Sequence, residues 1–286
     1  MTTGAVADPA PPPKPSRAGR DLRAAIGVGV ALAALILVSA FAYPPAFGVV
    51  VGLAGSYGAF ELATALQTAD LHAPRWLLAI GGGAIIFVAY VWGSAAALAG
   101  LAGVVAAILL WTRAGGAERW LRDAAAGVLA AAYVPFLASF AAILTAPPDG
   151  PRRVTSFIAT VAFSDIGGYA VGVLSGGRHK MAPRISPGKS WEGFAGSVLA
   201  CVAAGTLLLT NLLHLRWWQG VLFGLAMAVC AVVGDLAESA IKRDIGVKDM
   251  GKLLPGHGGI LDRLDSLLVA APVAWMLLSA FSPTHR

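Results

Sequence analysis

The chain has 286 residues, of which 57% are hydrophobic and 13% are charged, and its formal net charge is +6. Soluble domains carry about twice that share of charged residues, mostly on their surfaces. The composition therefore excludes a disordered chain, a coiled coil and a nucleic-acid-binding domain, so no nucleic acid is expected among the partners. It predicts an all-α, polytopic integral membrane protein.

The N-terminal residues, 1–22, are rich in proline and cannot bury a core, so we predict a disordered cytoplasmic tail. About nine apolar segments follow, each long enough to cross about 30 Å of hydrocarbon as a helix. We place them near residues 24–42, 46–66, 76–92, 94–111, 124–146, 154–177, 192–213, 217–240 and 264–282. We divide the chain into N-terminal transmembrane helices, 23–150, and a C-terminal region, 151–286, that holds the polar segments.

Basic residues are distributed asymmetrically between the two ends of such a bundle. With the N-terminus inside, every Lys and Arg falls in an inside segment except Arg152, Arg153, Arg216 and Arg286. The positive-inside rule then predicts a protein of the cell (inner) membrane with a cytoplasmic N-terminus. It also places two polar segments, 178–191 and 241–263, on the same cytoplasmic face, where they can meet.

Two acidic residues interrupt predicted spans. Asp165 lies in the sixth span and is followed by Gly167, Gly168 and Tyr169. Because a carboxylate inside a bilayer is costly, we expect Asp165 to face a polar cavity or, as a neutral acid, to make an interhelical hydrogen bond. Glu61 in the second span is expected to be a buried hydrogen-bonding group or to line the same cavity.

A basic loop, 178–193, precedes the seventh span. Ser190 is expected to cap that helix, with Glu192 in its first turn. A basic loop that opens onto a helix N-terminus suits phosphate oxygens, which need backbone N–H donors and a positive field. The alternative is a positively charged loop that only touches anionic lipid.

Carboxylates are paired at the ends of the last two spans. Asp235 and Glu238 lie three residues apart on one helical face, and Asp262 and Asp265 do the same. Two carboxylate pairs facing one cytoplasmic pocket suit a divalent ion, because Mg²⁺ takes one or two carboxylates plus substrate phosphates. The glycine-rich segment 254–259 can bring backbone N–H groups against an anion. The alternative is a salt-bridged cytoplasmic linker.

The segment 239–265 follows the pattern Ser239-x-Ile-Lys-Arg-x4-Lys248-Asp-x-Gly-x2-Leu-Pro-x-His257-Gly-Gly-Ile-x-Asp262-Arg-Leu-Asp265. This pattern resembles the signature of the phosphatidate cytidylyltransferases, also called CDP-diacylglycerol synthases. The segments 182–193 and 165–169 are similar to two further stretches of that family. The resemblance is clear from about residue 155 to 270, and it departs at Ser190, where Thr is commoner, and at Ile166, where a small hydroxyl residue is commoner.

The resemblance implies that CTP and phosphatidate react to give CDP-diacylglycerol and pyrophosphate with Mg²⁺, and that the region 151–286 is catalytic. It leaves open whether a monovalent cation shares the site. The implied partners are CTP, phosphatidate, the lipid bilayer and a second copy in a homodimer.

The resemblance also implies roles for individual residues. The metal ligands would be Asp235 and Asp262, assisted by Asp249 or Asp265. The phosphate-clamping residues would be Lys189, Lys242, Arg243, Lys248 and Arg263. The hydrogen-bond donors to phosphate would be Ser186, Ser190, Ser239 and His257. For His257 the alternative role is that of an acid that protonates pyrophosphate. Asp165 and Tyr169 would line the cavity where the lipid headgroup enters.

Two other functions stay open. A membrane lipid kinase of related architecture would use the same charges but release a nucleoside diphosphate. A secondary transporter would explain glycine-interrupted helices around Asp165, although only the C-terminal half shows that pattern.

Overall fold

The computed structural model describes residues 21–114, 119–251, 253 and 258–282. The helices are α1 (Asp21–Ala42), α2 (Pro44–Leu66), α3 (Arg75–Trp92), α4 (Ser94–Ala114), α5 (Trp120–Ala131), α6 (Leu137–Ile143), α7 (Gly150–Leu174), α8 (Trp191–Leu212), α9 (Trp217–Asp244) and α10 (Leu261–Phe281). A π-helical segment, Ala132–Phe136, joins α5 and α6 into one span, and Pro135 inside it lacks the N–H that a regular helix would use. A hairpin of β1 (Lys180–Ala182) and β2 (Ser186–Ser190) precedes α8.

The described residues contain eight helical segments that are long and apolar enough to cross a membrane. They coincide with the second to ninth predicted spans, so the all-α multi-pass class is confirmed. The first predicted span is also helical as α1, within which a shorter apolar helix, Gly29–Ala42, is recognised.

Two predicted boundaries concern the N-terminal half. Most of the predicted tail, residues 1–20, lies outside the described residues, and α1 begins at Asp21, inside the predicted range. The division of the chain at residue 150 stays a prediction.

Glycine contacts hold α7, α8 and α9 together. A Cβ at Gly167 of α7 would lie 2.5 Å from the carbonyl oxygen of Gly196 in α8, and a Cβ at Gly224 of α9 would overlap the carbonyl oxygen of Cys201. Helices in lipid associate through such close backbone packing rather than through a hydrophobic driving force. The Ser197 hydroxyl also donates to the Ser164 carbonyl at 2.7 Å, which fixes the face of α7 that carries Asp165.

The crossing of α9 and α10 is equally close. A Cβ at Gly234 would lie 2.5 Å from the carbonyl oxygen of Asp265, and the Ser266 hydroxyl donates to the Ala231 carbonyl at 3.1 Å. Asp235 on α9 and Asp265 on α10 lie next to this crossing, so both belong to the same end of the bundle.

A buried arginine joins two helices at the opposite end. Arg153 in the first turn of α7 is only 2% exposed and pairs with Asp149 at 2.8 Å. Its guanidinium also donates to the carbonyl oxygens of Leu278, at 3.2 Å, and Ser282, at 2.9 Å. These bonds satisfy carbonyl groups at the C-terminus of α10, where no further helical turn is available.

The β1–β2 hairpin is the part of the fold that we did not predict, because we treated segment 178–191 as a loop. Its strands are antiparallel, with Lys180 opposite Ser190 and Ala182 opposite Ser186. The turn of the hairpin accepts a hydrogen bond at the Ile185 carbonyl from Arg243 Nε of α9, at 3.2 Å. The predicted meeting of the two polar segments is therefore confirmed.

Candidate active site

Three neighbouring cavities surround the ends of α7, α9 and α10. The first, which we call the acidic cavity, has a volume of about 470 Å³. The charged residues that line it are Asp165, Asp235, Glu238, Lys242, Asp249, Asp262, Arg263 and Asp265. Charged residues are scarce in this chain, yet eight of them line this cavity. They come from α7, from the end of α9, from the start of α10 and from the connection between α9 and α10.

The second, which we call the hairpin cavity, has a volume of about 480 Å³ and lies between α7, α8 and the hairpin. Tyr169, Ser186, Lys189 and Ser190 line it, and Tyr169 is exposed. A role of these four residues in substrate binding stays a prediction. Asp165 lines both the hairpin cavity and the acidic cavity. The expectation that Asp165 faces a polar cavity is therefore confirmed.

The third, which we call the apolar groove, has a volume of about 160 Å³ and is lined by residues of α1, α2, α6, α7 and α10. It shares Ile158, Arg263 and Leu267 with the acidic cavity. Arg263 therefore lies at the boundary between the charged and the apolar space.

Lys242 joins two carboxylates of the acidic cavity. Its ammonium group lies 2.6 Å from Glu238 Oε2 and 2.9 Å from Asp262 Oδ1. Glu238 is only 1% exposed, so the lysine supplies the positive charge that a buried carboxylate requires. The partners of Lys242 in the structure are therefore acidic side chains, one from its own helix and one from α10.

Asp262 holds the connection between α9 and α10. Its Oδ2 accepts hydrogen bonds from the backbone N–H groups of Gly259, at 2.7 Å, and Met250, at 3.0 Å. Together with Lys242, these donors use both oxygens of a side chain that is 6% exposed. Gly258 has φ +79°, and a Cβ there would lie 2.7 Å from the same carboxylate, so the chain can approach Asp262 only as glycine.

Glu61 supports the same connection from α2. Its side chain is 4% exposed, and Oε2 accepts a hydrogen bond at 2.9 Å from the N–H of Leu261, the first residue of α10. A Cβ at Gly259 would lie 2.6 Å from the Glu61 carboxylate, and one at Gly251 would overlap it. The segment around Gly259 is therefore packed between Glu61 on one side and Asp262 on the other.

The hairpin is attached to α9 by an ion pair. Lys189 Nζ of β2 contacts Asp235 Oδ2, and both side chains are partly exposed to solvent. Ser190 caps α8 as predicted, because its hydroxyl accepts the N–H of Gly193 at 3.1 Å and Glu192 lies in the first turn. The N-terminus of α8 and a lysine thus meet at the edge of the hairpin cavity.

Some predicted site residues lie elsewhere. Among the described residues that line the acidic and hairpin cavities, Arg243, Lys248 and Ser239 are missing. Arg243 instead bonds to the hairpin turn, and Lys248 is exposed in the connection after α9. His257 lies outside the described residues.

The donor set of the acidic cavity fits a divalent ion that is completed by substrate. Among the described residues, no group of three or more His, Cys, Asp or Glu side chains could by itself hold a metal. Carboxylates are nevertheless the ligands that Mg²⁺ prefers, and Mg²⁺ usually needs only one or two of them beside substrate phosphates. Glu238 Oε1 is buried without a hydrogen-bond partner in the described part of the chain, so it has an unused acceptor.

Fold and site together define a multi-pass helical membrane protein with a charged cavity at one end of its bundle. The model of the cytidylyltransferase family matches residues 23–281. The chain is 42% identical to a phosphatidate cytidylyltransferase of Mycobacterium bovis over 94% of this chain and 92% of the relative. It is 41% identical to that of Mycobacterium leprae (92% and 89%) and 35% identical to that of Brucella suis (82% and 84%). The chain therefore belongs to the cytidylyltransferase family, and the resemblance described above is confirmed.

Proposed function

We propose that this protein is a phosphatidate cytidylyltransferase, a membrane nucleotidyltransferase that converts CTP and phosphatidate into CDP-diacylglycerol and pyrophosphate. One observation carries the proposal. The chain is 42% identical to relatives of that name over 94% of its length, and five residues of the segment that resembles the family's signature line one charged cavity, namely Lys242, Asp249, Asp262, Arg263 and Asp265.

The reaction requires little covalent chemistry from the protein. An oxygen of the lipid phosphate attacks the α-phosphorus of CTP, and the bond from that phosphorus to the β-phosphate oxygen breaks, which releases pyrophosphate. The attacking oxygen is already ionised near neutral pH, so no side-chain nucleophile is needed. Catalysis then consists mainly of positioning two anionic groups and stabilising their charge.

The basic residues divide into three groups under this proposal. Lys189 and Arg263 line the cavities and are assigned to substrate phosphates. Lys242 is assigned to holding Glu238 and Asp262, because it bridges two carboxylates that are almost fully buried, whereas the Lys189–Asp235 pair is partly exposed and would exchange for a phosphate. Arg243 and Lys248 would act only on parts of a nucleotide that extend beyond the cavities.

The proposed cofactor is Mg²⁺, held by Asp235 and Asp265 with Asp249 and the unused oxygen of Glu238 nearby. Asp235 would bind the ion by releasing Lys189, and Asp262 would join this set only by exchanging its contact with Lys242, since its oxygens already accept several hydrogen bonds. When bound, the ion would neutralise the phosphates and the leaving pyrophosphate. Assays with potassium or sodium as the only monovalent cation would reveal a second ion.

We place the protein in the inner membrane with the acidic cavity facing the cytoplasm, as the distribution of Lys and Arg favours. Labelling of a Lys248→Cys variant by a membrane-impermeant maleimide tests this orientation. Reaction in inverted vesicles but not in intact cells would support it, and the reverse would refute it. Cross-linking of the protein in native membranes tests for a homodimer.

The function is tested with purified protein, CTP and long-chain phosphatidate. Mass spectrometry should detect CDP-diacylglycerol, and a coupled assay should detect an equal amount of pyrophosphate, only when Mg²⁺ is present. The Asp262→Asn variant should lose nearly all turnover. Release of a nucleoside diphosphate would instead indicate a kinase, and solute flux without nucleotide consumption would indicate a transporter.

A further inference from the structure

The apolar groove has a polar group at one end only. Its lining comprises Leu, Ile, Val, Phe and Ala side chains, and Arg263 is the single charged residue among the described residues that line it. Along α10 the lining runs from Arg263 to Ala271, which corresponds to about 12 Å at 1.5 Å per residue. The groove is therefore elongated along the helices, with a charged entrance and an apolar interior.

The groove borders one of the two polar cavities. It shares Ile158, Arg263 and Leu267 with the acidic cavity, but no described lining residue with the hairpin cavity. A ligand that occupied the groove and the acidic cavity together would need an anionic head and an apolar tail. The guanidinium of Arg263, at the junction, suits a phosphate oxygen.

We propose that the apolar groove binds one acyl chain of phosphatidate and thereby places the lipid phosphate beside Arg263. This inference rests on the proposed function and deepens it. The hairpin cavity is then left to CTP, and Asp165 lies where the two substrates meet. This differs from the sequence-based expectation that Asp165 and Tyr169 receive the lipid headgroup.

The walls of the groove distinguish it from an ordinary lipid-facing surface. Helix α1 contributes Leu32, Leu35 and Ile36 on one side, and α10 contributes the opposite wall. An acyl chain in a bilayer already has apolar surroundings, so the groove adds little hydrophobic free energy. Its contribution is to fix the chain and hence the position of the phosphate, where small displacements reduce the rate strongly.

Variants that narrow the groove test this inference. Ala54 and Ala141 line it and are half-buried, so Ala54→Phe and Ala141→Phe would fill it from α2 and α6. Ala99→Phe, at an exposed alanine of α4, is the matched control. Turnover is measured with dioleoyl and with dihexanoyl phosphatidate at saturating CTP, and thermal denaturation checks that each variant is folded.

We expect kcat/KM for dioleoyl phosphatidate to fall about tenfold in both groove variants, a loss typical of a misplaced reactant. The kcat/KM for dihexanoyl phosphatidate and that for CTP should stay within about twofold of the parent values. The Ala99→Phe variant should match the parent with both lipids and with CTP. An equal fall for both lipids, or no fall for either, would overturn the groove assignment. If the parent protein converted neither lipid, that result would instead refute the proposed function.

A second measurement does not depend on substitutions. Phosphatidate with a photoreactive diazirine near the end of one acyl chain is cross-linked to the parent protein, and the labelled peptides are identified. Labelling of α1, α2 and α10 that unlabelled phosphatidate suppresses and phosphatidylcholine does not would support the inference. Equal suppression by both lipids would show ordinary boundary lipid and would overturn it.

Discussion

Replacement of Lys242 by methionine is expected to destabilise the bundle as well as to abolish turnover. Methionine keeps most of the length of the side chain, so the main loss is the ammonium group between Glu238 and Asp262. Asp262 would still accept the N–H groups of Gly259 and Met250. Glu238, which is 1% exposed, would lose the ammonium group that balances its buried carboxylate, so most of the penalty falls on it.

The size of this penalty follows from the burial of the pair. Removing one partner of a buried ion pair costs about 3–5 kcal/mol. Lys242 is partly exposed at 17%, so we expect the lower end, about 3 kcal/mol. For a chain of 286 residues that corresponds to a decrease in Tm of about 5 °C. The difference from the parent should narrow at low pH, because protonation removes the charge of Glu238.

The assay is thermal denaturation in detergent at one fixed scan rate, because unfolding of such proteins is often irreversible. The matched control is the double variant Lys242→Met with Glu238→Gln, in which the buried charge is absent. This double variant should recover more than half of the decrease in Tm, but it should remain inactive. A Lys242→Met protein within about 2 °C of the parent, or a double variant no more stable than the single one, would refute the reasoning.

Three further contacts are tested by substitution. Lys189→Ala should raise the KM for CTP or phosphatidate about tenfold with an unchanged Tm, because its ion pair is partly exposed; steady-state kinetics decide this. Glu61→Ala should cost about 1–3 kcal/mol and reduce kcat, because the Leu261 N–H loses its acceptor, and Glu61→Gln should restore most of the Tm, because its amide oxygen can still accept that N–H. A Glu61→Ala protein as stable as the parent would contradict this role. Gly224→Ala should lower the Tm, because its Cβ would overlap the backbone of α8 at Cys201. Gly52→Ala should leave the Tm unchanged or raise it, because a Cβ there meets nothing within 4 Å. Equal Tm values for the two variants would contradict the close packing of α8 and α9.

The helices were predictable because each is a long apolar run, and lipid allows such a run only one regular structure. The convergence of Asp235 and Asp262 was also predictable. Asp235 lies near the end of one predicted span and Asp262 lies just before the next, so both fall at the same face of the bundle. The hairpin was not, because strands as short as Lys180–Ala182 leave no periodic pattern in a polar loop.

Two buried acids have partners in the structure that we did not predict. Glu61 was recognised as a polar group within a span, but its partner Leu261 is 200 residues away and nothing local points to it. Glu238 was seen only as a companion of Asp235. Its contact with Lys242 spans four residues of one helix, so the spacing of opposite charges could have revealed that pair.

The buried guanidinium at the far end of the bundle has a mechanical consequence. Because Arg153 ties the start of α7 to the end of α10, these two helices cannot separate where they are joined. Any widening between them must therefore hinge at Arg153 and be greatest at the opposite end, beside the acidic cavity. Arg153 lines none of the three cavities, yet it would govern how far the gap can open.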